Sequence, residues 1–339
     1  KKDGATSLII DLRSNPGGLL HEAVNICNLF IPKDKLVVET KGKRPENSTQ
    51  FNTLNQPIDL SIPVVVLVNS SSASASEIVA GTLQDYDRAV IVGQKSYGKG
   101  LVQNVRPLTY NAQLKVTIAK YYTPSGRCIQ ALDYTHRNKD GSVGKIADSL
   151  KTRYKTAIGR TVYDGGGVDP DIPVTAQKWP PLVVKLIQEG KIYLYANEFR
   201  LVNESILAPS NFELSDTQFS NFVEWIGQQE FNFKSKLELD VENIEKQSLK
   251  FGSSSELFTS TLKHIKSEVN TPLKAQLYKE KELLKNILEA EIAIRYYDEA
   301  GGIETSLAND KEIKIAINLL ASPSKYKSIL SDIKSTSTK

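Results

Sequence analysis

The sequence predicts an α/β layered domain with a largely parallel sheet, followed by an all-helical domain. Over the first 180 residues, short β-branched apolar runs alternate with apolar residues at helical spacing, the pattern of strand–helix–strand units. After Trp179-Pro180-Pro181 the β-branched runs stop and helical periodicity takes over. A chain of 339 residues is also long for one core. The expected domains are therefore residues 1–180 and 181–339.

Taken in order, "SLIIDL" reads as a buried strand, and "GGLLHEAVNICNLF" as an amphipathic helix that begins directly after "SNPGG". "KLVVET" is a second strand, and "IPVVVLVNS" is a long β-branched strand ending in a serine cluster. "SASEIVAGTLQDY" places Ile78, Val79 and Leu83 at helical spacing, and "RAVIVG" is again a strand. "LVQNVRPL" alternates apolar and polar residues, "LKVTIAKYYTPSGRCIQ" is a strand ending in a Pro-Ser-Gly turn, and "GRTVYDGGGVDPDIPV" is a loop with a short strand. In the second domain, Leu277, Leu284, Leu288, Ile292 and Tyr296 recur near a 3.6-residue period. Gly301-Gly302 is expected to end that helix, and the closing "SDIKSTSTK" to be frayed.

Composition narrows the function classes. Hydrophobic content of 40% and charged content of 24% are those of a globular protein, and no apolar stretch approaches the roughly 18 residues that span a bilayer. The net charge is +4, with basic residues scattered among acidic ones, which argues against a nucleic-acid surface. Two cysteines, Cys27 and Cys128, make neither a metal cluster nor a disulfide framework, and Cys27 is expected in the core. No metal and no cofactor is expected. The start "KKDGATSLIIDL" leads almost at once into a strand, so the expectation is a fragment lacking its N-terminal part.

Gly93, Gly98 and Lys99 nearly spell a phosphate-binding loop, but Gly100 stands where the metal-binding hydroxyl belongs, and strand patterning follows instead of a helix. The serine cluster is more informative. A serine between a buried strand and a helix N-terminus has its hydroxyl on a tight turn, beside free N–H groups that stabilise negative charge. The same segment also reads as a plain capping box, Ser74 with Glu77 three residues on. His21, His136 and His264 carry no companion signature, and Ser74 lacks the G-x-S-x-G context, so a Ser-His-Asp triad is disfavoured. A lysine serves as base where burial lowers its pKa from about 10.4 toward neutrality, and Lys99, flanked by glycines between apolar strands, is placed for that.

"LIIDLRSNPGG", "VVVLVNSSSASASEIVAGTLQD", "VGQKSYGKGLVQ" and "KYYTPSGRCIQ" resemble the consecutive blocks of the C-terminal processing peptidases, or tail-specific proteases. These are serine peptidases of the crotonase-like superfamily (the Clp protease/crotonase type) that use a Ser–Lys dyad. The resemblance covers about residues 5–175, and "GRTVYDGGGVDPDI" resembles the block closing the catalytic region. It implies Ser74 as nucleophile, with Lys99, 25 residues on, as general base and Gln103 holding the lysine amine. It implies the oxyanion donors as the amides of Ala75 and Gly18.

The helical tail resembles extensions of the family's bacteroidete-type members. Relatives carry an N-terminal segment and a PDZ domain, neither of which is expected in this chain, so the resemblance implies a fragment that is inactive or unregulated alone. Implied partners are protein or peptide substrates with free C-termini, oligomer or adaptor contacts through the helical domain, and no nucleic acid. The implied location is the periplasm or cell envelope. A ligand-binding module that has lost catalysis, or another crotonase-like acyl-transfer enzyme, are the competing readings.

Overall fold

The computed structural model describes Lys2, residues 4–252 and residues 255–331; the predicted frayed end after Ser331 lies outside the described residues. The chain divides into two compact units, one of residues 1–176 with those from 311 onward, the other of residues 177–310.

The first unit runs β1 (Leu8–Asp11), α1 (Leu20–Asn28), β2 (Leu36–Gly42), β3 (Thr49–Asn52), β4 (Val64–Val68), α2 (Ala75–Asp85), β5 (Val90–Gly93), β6 (Leu101–Pro107) and β7 (Gln113–Tyr122). Five short strands follow: β8 (Leu132–Arg137), β9 (Val143–Lys145), β10 (Arg153–Lys155), β11 (Thr161–Tyr163) and β12 (Ile172–Pro173). A parallel sheet has the order β1-β4-β5-β12. β2, expected among the alternating strands of the α/β layer, instead joins an antiparallel sheet of order β3-β2-β7-β6. Periodicity marks a strand but carries no information about which strand it pairs with.

β4 and β5 are buried along their whole length. The strand period of two sends Val64, Val66 and Val68 to one face, against Val24, Cys27, Ile78, Val79 and Leu83 of α1 and α2. Val65, Leu67, Val90 and Val92 face the other way and need a second cover. That cover is α10 (Lys311–Leu320) and α11 (Pro323–Ser331), through Ile313, Ala316, Leu319 and Tyr326. Of the expected helical domain 181–339, the described residues from Lys311 group with the first unit. An amphipathic stripe declares an apolar face without saying whose core that face completes.

The second unit contains α3 (Pro181–Gln188), α4 (Lys191–Val202), α5 (Asp216–Gln228), α6 (Lys236–Phe251), α7 (Glu256–Val269), α8 (Leu273–Lys279) and α9 (Lys281–Leu307). Leu277, Leu284, Leu288 and Ile292 pack with Leu186, Phe199, Phe219 and Phe222 in its core, with Tyr296 at the margin. α9 does not stop at the glycine pair; it breaks earlier, at Tyr297 and Asp298 (φ 58°), and resumes. Gly301 and Gly302 lie inside the resumed segment, where a Cβ at Gly302 would sit 2.4 Å from Ile294 Cγ1 and 3.0 Å from the Ala290 carbonyl oxygen. The pair therefore permits close approach across the break instead of capping a helix end. Among the described residues no helix is long and apolar enough to cross a membrane.

Candidate active site

The serine loop leaves β4 and is laced to the turn after β1. The Ser72 hydroxyl donates to the Leu12 carbonyl at 2.6 Å, and the Ala73 amide to that of Asn15 at 3.0 Å. Asn69 Oδ1 accepts from the Ser14 amide at 2.9 Å. These bonds consume Ser72, which is fully buried, and Ser76 is buried inside α2. Ser74 remains half-buried at the N-cap of α2. Its backbone has φ 59° and ψ −117°, a conformation that a residue with a Cβ adopts only when its surroundings enforce it.

Glu77 supplies much of that enforcement. It is fully buried, and its carboxylate accepts four hydrogen bonds: Oε2 from the amides of Ser74 (3.0 Å) and Lys99 (2.8 Å), Oε1 from the Gly98 amide (2.7 Å) and the Ser96 hydroxyl (2.5 Å). The Ser74 and Lys99 amide nitrogens share one oxygen, so they lie less than about 6 Å apart. A third strut is the Tyr97 amide, which donates to the Ser72 carbonyl at 3.0 Å. Burial pushes the Glu77 pKa up, opposed by the hydrogen bonds from Ser96, Lys99, Gly98 and Ser74. In sequence Glu77 is visible only as a capping-box partner. Its length lets it serve the N-cap and a second loop together, and only the fold brings that loop within reach.

Lys99 is half-buried just before β6. The backbones of Ser74 and Lys99 are brought together, but among the described residues no hydrogen bond joins the Ser74 hydroxyl to the Lys99 amine. The group that meets the Ser74 side chain is the phenol of Tyr121 on β7. Its hydroxyl also donates to the Lys99 main-chain carbonyl. Tyr121 is 3% exposed, and burial pushes its pKa up. Nothing in "KYYTPSG" distinguishes Tyr121 from Tyr122; the pleat turns Tyr121 into the core, while Tyr122 lines a separate hollow.

Gly18 and Ala75 meet. Both line a hollow of about 170 Å³ with Leu12, Leu19, Ala23 and Val79. Among the described residues neither amide has a recorded partner, whereas the Gly17 amide is spent on Asn15 Oδ1 at 2.9 Å. Gly17 has φ 91°, and a Cβ there would lie 2.5 Å from the Ala73 carbonyl oxygen and 2.7 Å from the Ala75 nitrogen. Its lack of a side chain lets this turn press against the serine turn.

Gln103 stands apart from this group. It is exposed on β6, beside a register shift against β7, and lines the same hollow as Tyr122, Cys128 and Gln130. His21 and His136 are exposed and paired to Glu22 and Asp133. Ser74, Glu77, Lys99, Tyr121 and the two free amides thus form one cluster. Chemically it offers a hydroxyl on a strained turn, an amine on the adjoining loop, and two backbone amides, of Gly18 and Ala75, on residues that border one hollow.

Comparison with known proteins finds peptidases over parts of this chain. Residues 1–136 match the family described as "Peptidase family S41", and residues 182–320 match "Probable PDZ-protease, C-terminal helical domain". A "Carboxy-terminal-processing protease" of Bartonella bacilliformis is 44% identical over 133 residues, which are 39% of this chain and 30% of that protein. A "Probable CtpA-like serine protease" of Staphylococcus aureus is 46% identical over 130 residues, 38% of this chain and 26% of that protein. The matched stretches are thus less than a third of those relatives' own length. A solved photosystem II D1 C-terminal processing protease is 29% identical, with 53% of this chain and 37% of that one covered at a TM-score of 0.38. Residues 1–136 are thus similar to peptidase family S41, and the relatives matched over this part are named as C-terminal processing or CtpA-like proteases.

Proposed function

We propose that this chain carries the catalytic core of a serine endopeptidase that cleaves proteins at or near their C-termini, with Ser74 as nucleophile and Lys99 as base. The observation that carries the reading is the Glu77 carboxylate, which binds the Ser74 and Lys99 amides through one oxygen. A capping box needs only the first of those bonds; the second serves to hold the two loops in fixed relation.

In this reading the Ser74 hydroxyl leaves the Tyr121 phenol and attacks the scissile carbonyl, while the uncharged Lys99 amine takes its proton. The carbonyl oxygen becomes an anion facing the Gly18 and Ala75 amides, where one such donor is worth about 3 kcal/mol. The C–N bond then breaks, Lys99 returns the proton to the leaving amine, and an ester on Ser74 remains. Water, deprotonated by Lys99, hydrolyses that ester. Gln103 steadies the lysine only once the amine swings toward β6. Substrates are proteins with free C-termini, oligomer or adaptor contacts run through the helical unit, and the site of action is the cell envelope.

The test is covalent labelling of Ser74 by a fluorophosphonate, together with cleavage of an unstructured protein by the full-length enzyme. Ser74→Ala and Lys99→Ala should each abolish both, and Lys99→Arg should fail too, because a guanidinium does not give up its proton. Near-normal turnover by Lys99→Ala with none by Ser74→Ala would remove Lys99 from the mechanism.

A further inference from the structure

A second polar centre lies in the first unit, outside the cluster around Ser74. A cavity of about 750 Å³ is lined by Ser70 and Tyr97, from the loops that carry Ser74 and Lys99, and by Lys95, Lys145, Lys151 and Gly166. Two of these lysines converge on one point. A Cβ placed on Gly166 would meet Lys95 Nζ at 2.9 Å and Lys151 Nζ at 3.1 Å, so the two amines lie side by side against this glycine.

Each has a carboxylate partner, Asp169 at 2.9 Å from Lys95 and Asp148 beside Lys151, with Asp148 also at the cavity wall. Asp148 is 92% exposed on its side chain, whereas Lys151 is 13% exposed, so solvent weakens the aspartate's hold far more than it reaches the lysine. An ammonium has three donors, and one aspartate apiece leaves others free. The Gly166 amide, on a buried residue, has no recorded partner among the described residues. Spare donors of both ammonium groups and the backbone of Gly166 therefore border one cavity, where a carboxylate would gain charge-assisted hydrogen bonds.

We infer that Lys95, Lys151 and the Gly166 amide bind the carboxylate of a peptide lying across the neighbouring Ser70 and Tyr97 loops. That the ligand is a peptide rests on the peptidase reading; that it is anionic rests on these donors. The carboxylate comes from a chain terminus or from an Asp or Glu side chain, and the experiment separates these.

Three fluorescent ten-residue peptides of otherwise uncharged sequence are titrated onto the chain carrying Ser74→Ala, which keeps them intact, with anisotropy as readout. One has a free C-terminal carboxylate, one a C-terminal amide, and one the amide with a single internal Glu. At least one carboxylate peptide should bind about tenfold tighter than the neutral amide. Lys95→Gln and Lys151→Gln should each erase that preference without changing affinity for the neutral peptide, and Lys151→Arg should keep most of it. Circular dichroism confirms the fold of each variant. Equal affinity for the three peptides, no binding of any, or a preference that persists in the double Gln variant overturns the inference. Failure of the peptidase reading would appear elsewhere, as an unlabelled Ser74, and would leave this binding result standing.

Discussion

At the scale of single residues, Glu77 and Tyr121 govern the site more tightly than the sequence suggests. Glu77→Gln keeps the shape but turns an NH2 toward amides that need an acceptor, so stability should fall by about 1–3 kcal/mol. Ser74 labelling should slow sharply as the two loops loosen. The pH dependence follows from the raised Glu77 pKa. As pH falls through it, one oxygen gains a proton and faces donors, so labelling should drop on an acid limb that begins above the ordinary glutamate range. Glu77→Gln should lack that limb. For stability the sign is reversed: with the folded pKa above the unfolded one, the residue's contribution is full below the unfolded value and is lost as pH rises through the folded value. Holding Glu77 ionised therefore costs stability that the alignment of the two loops uses. Tyr121→Phe removes the hydroxyl from Ser74 and from the Lys99 carbonyl. A loss of about 1 kcal/mol is expected, read from urea unfolding, with a change in the labelling rate that Tyr122→Phe does not share.

At the scale of elements, close approach of backbones recurs. The turn after β1 reaches the N-terminus of α2 because Gly17 has no side chain, so Gly17→Ala should abolish labelling even where the variant folds. α9 offers a contest between two effects. Gly302→Ala should gain up to about 1 kcal/mol from helix propensity, yet its Cβ would overlap Ile294 Cγ1 and crowd the Ala290 carbonyl. Overpacking of this kind costs about 1–3 kcal/mol, so net destabilisation is expected. Both tryptophans, Trp179 and Trp225, belong to the second unit, and their fluorescence during urea unfolding reads this effect directly. A stabilised variant would show that the resumed helix has room the structure denies it.

At the scale of the whole molecule, the chain leaves the first unit after Ala176 and returns at Lys311 to finish it. α10 and α11 cover the second face of β4 and β5, and the Tyr326 hydroxyl bonds the Val64 backbone at 2.9 and 3.0 Å. Glu312 on α10 also meets Arg13, at 2.5 Å, just before the Ser14–Gly18 turn. Leu319→Ala should therefore cost about 2–5 kcal/mol in the unit that holds Ser74. Faster hydrogen exchange of the β4 and β5 amides is the measurement, and unchanged exchange would mean the sheet does not depend on this cover.

By itself the sequence determined the local chemistry: the β-branched runs, the helical stripes, and a serine at a strand-to-helix turn with a lysine 25 residues on. These are set by neighbours along the chain, and periodicity reports them. The tertiary structure alone decided that β2 leaves the parallel sheet, that α10 and α11 rejoin the first unit, and that Tyr121, not Tyr122, meets Ser74. It also put Gln103 in a hollow shared with Tyr122, Cys128 and Gln130. Each depends on which surfaces meet after the chain has turned back on itself, and one apolar stripe satisfies many partners equally well until the whole core is packed.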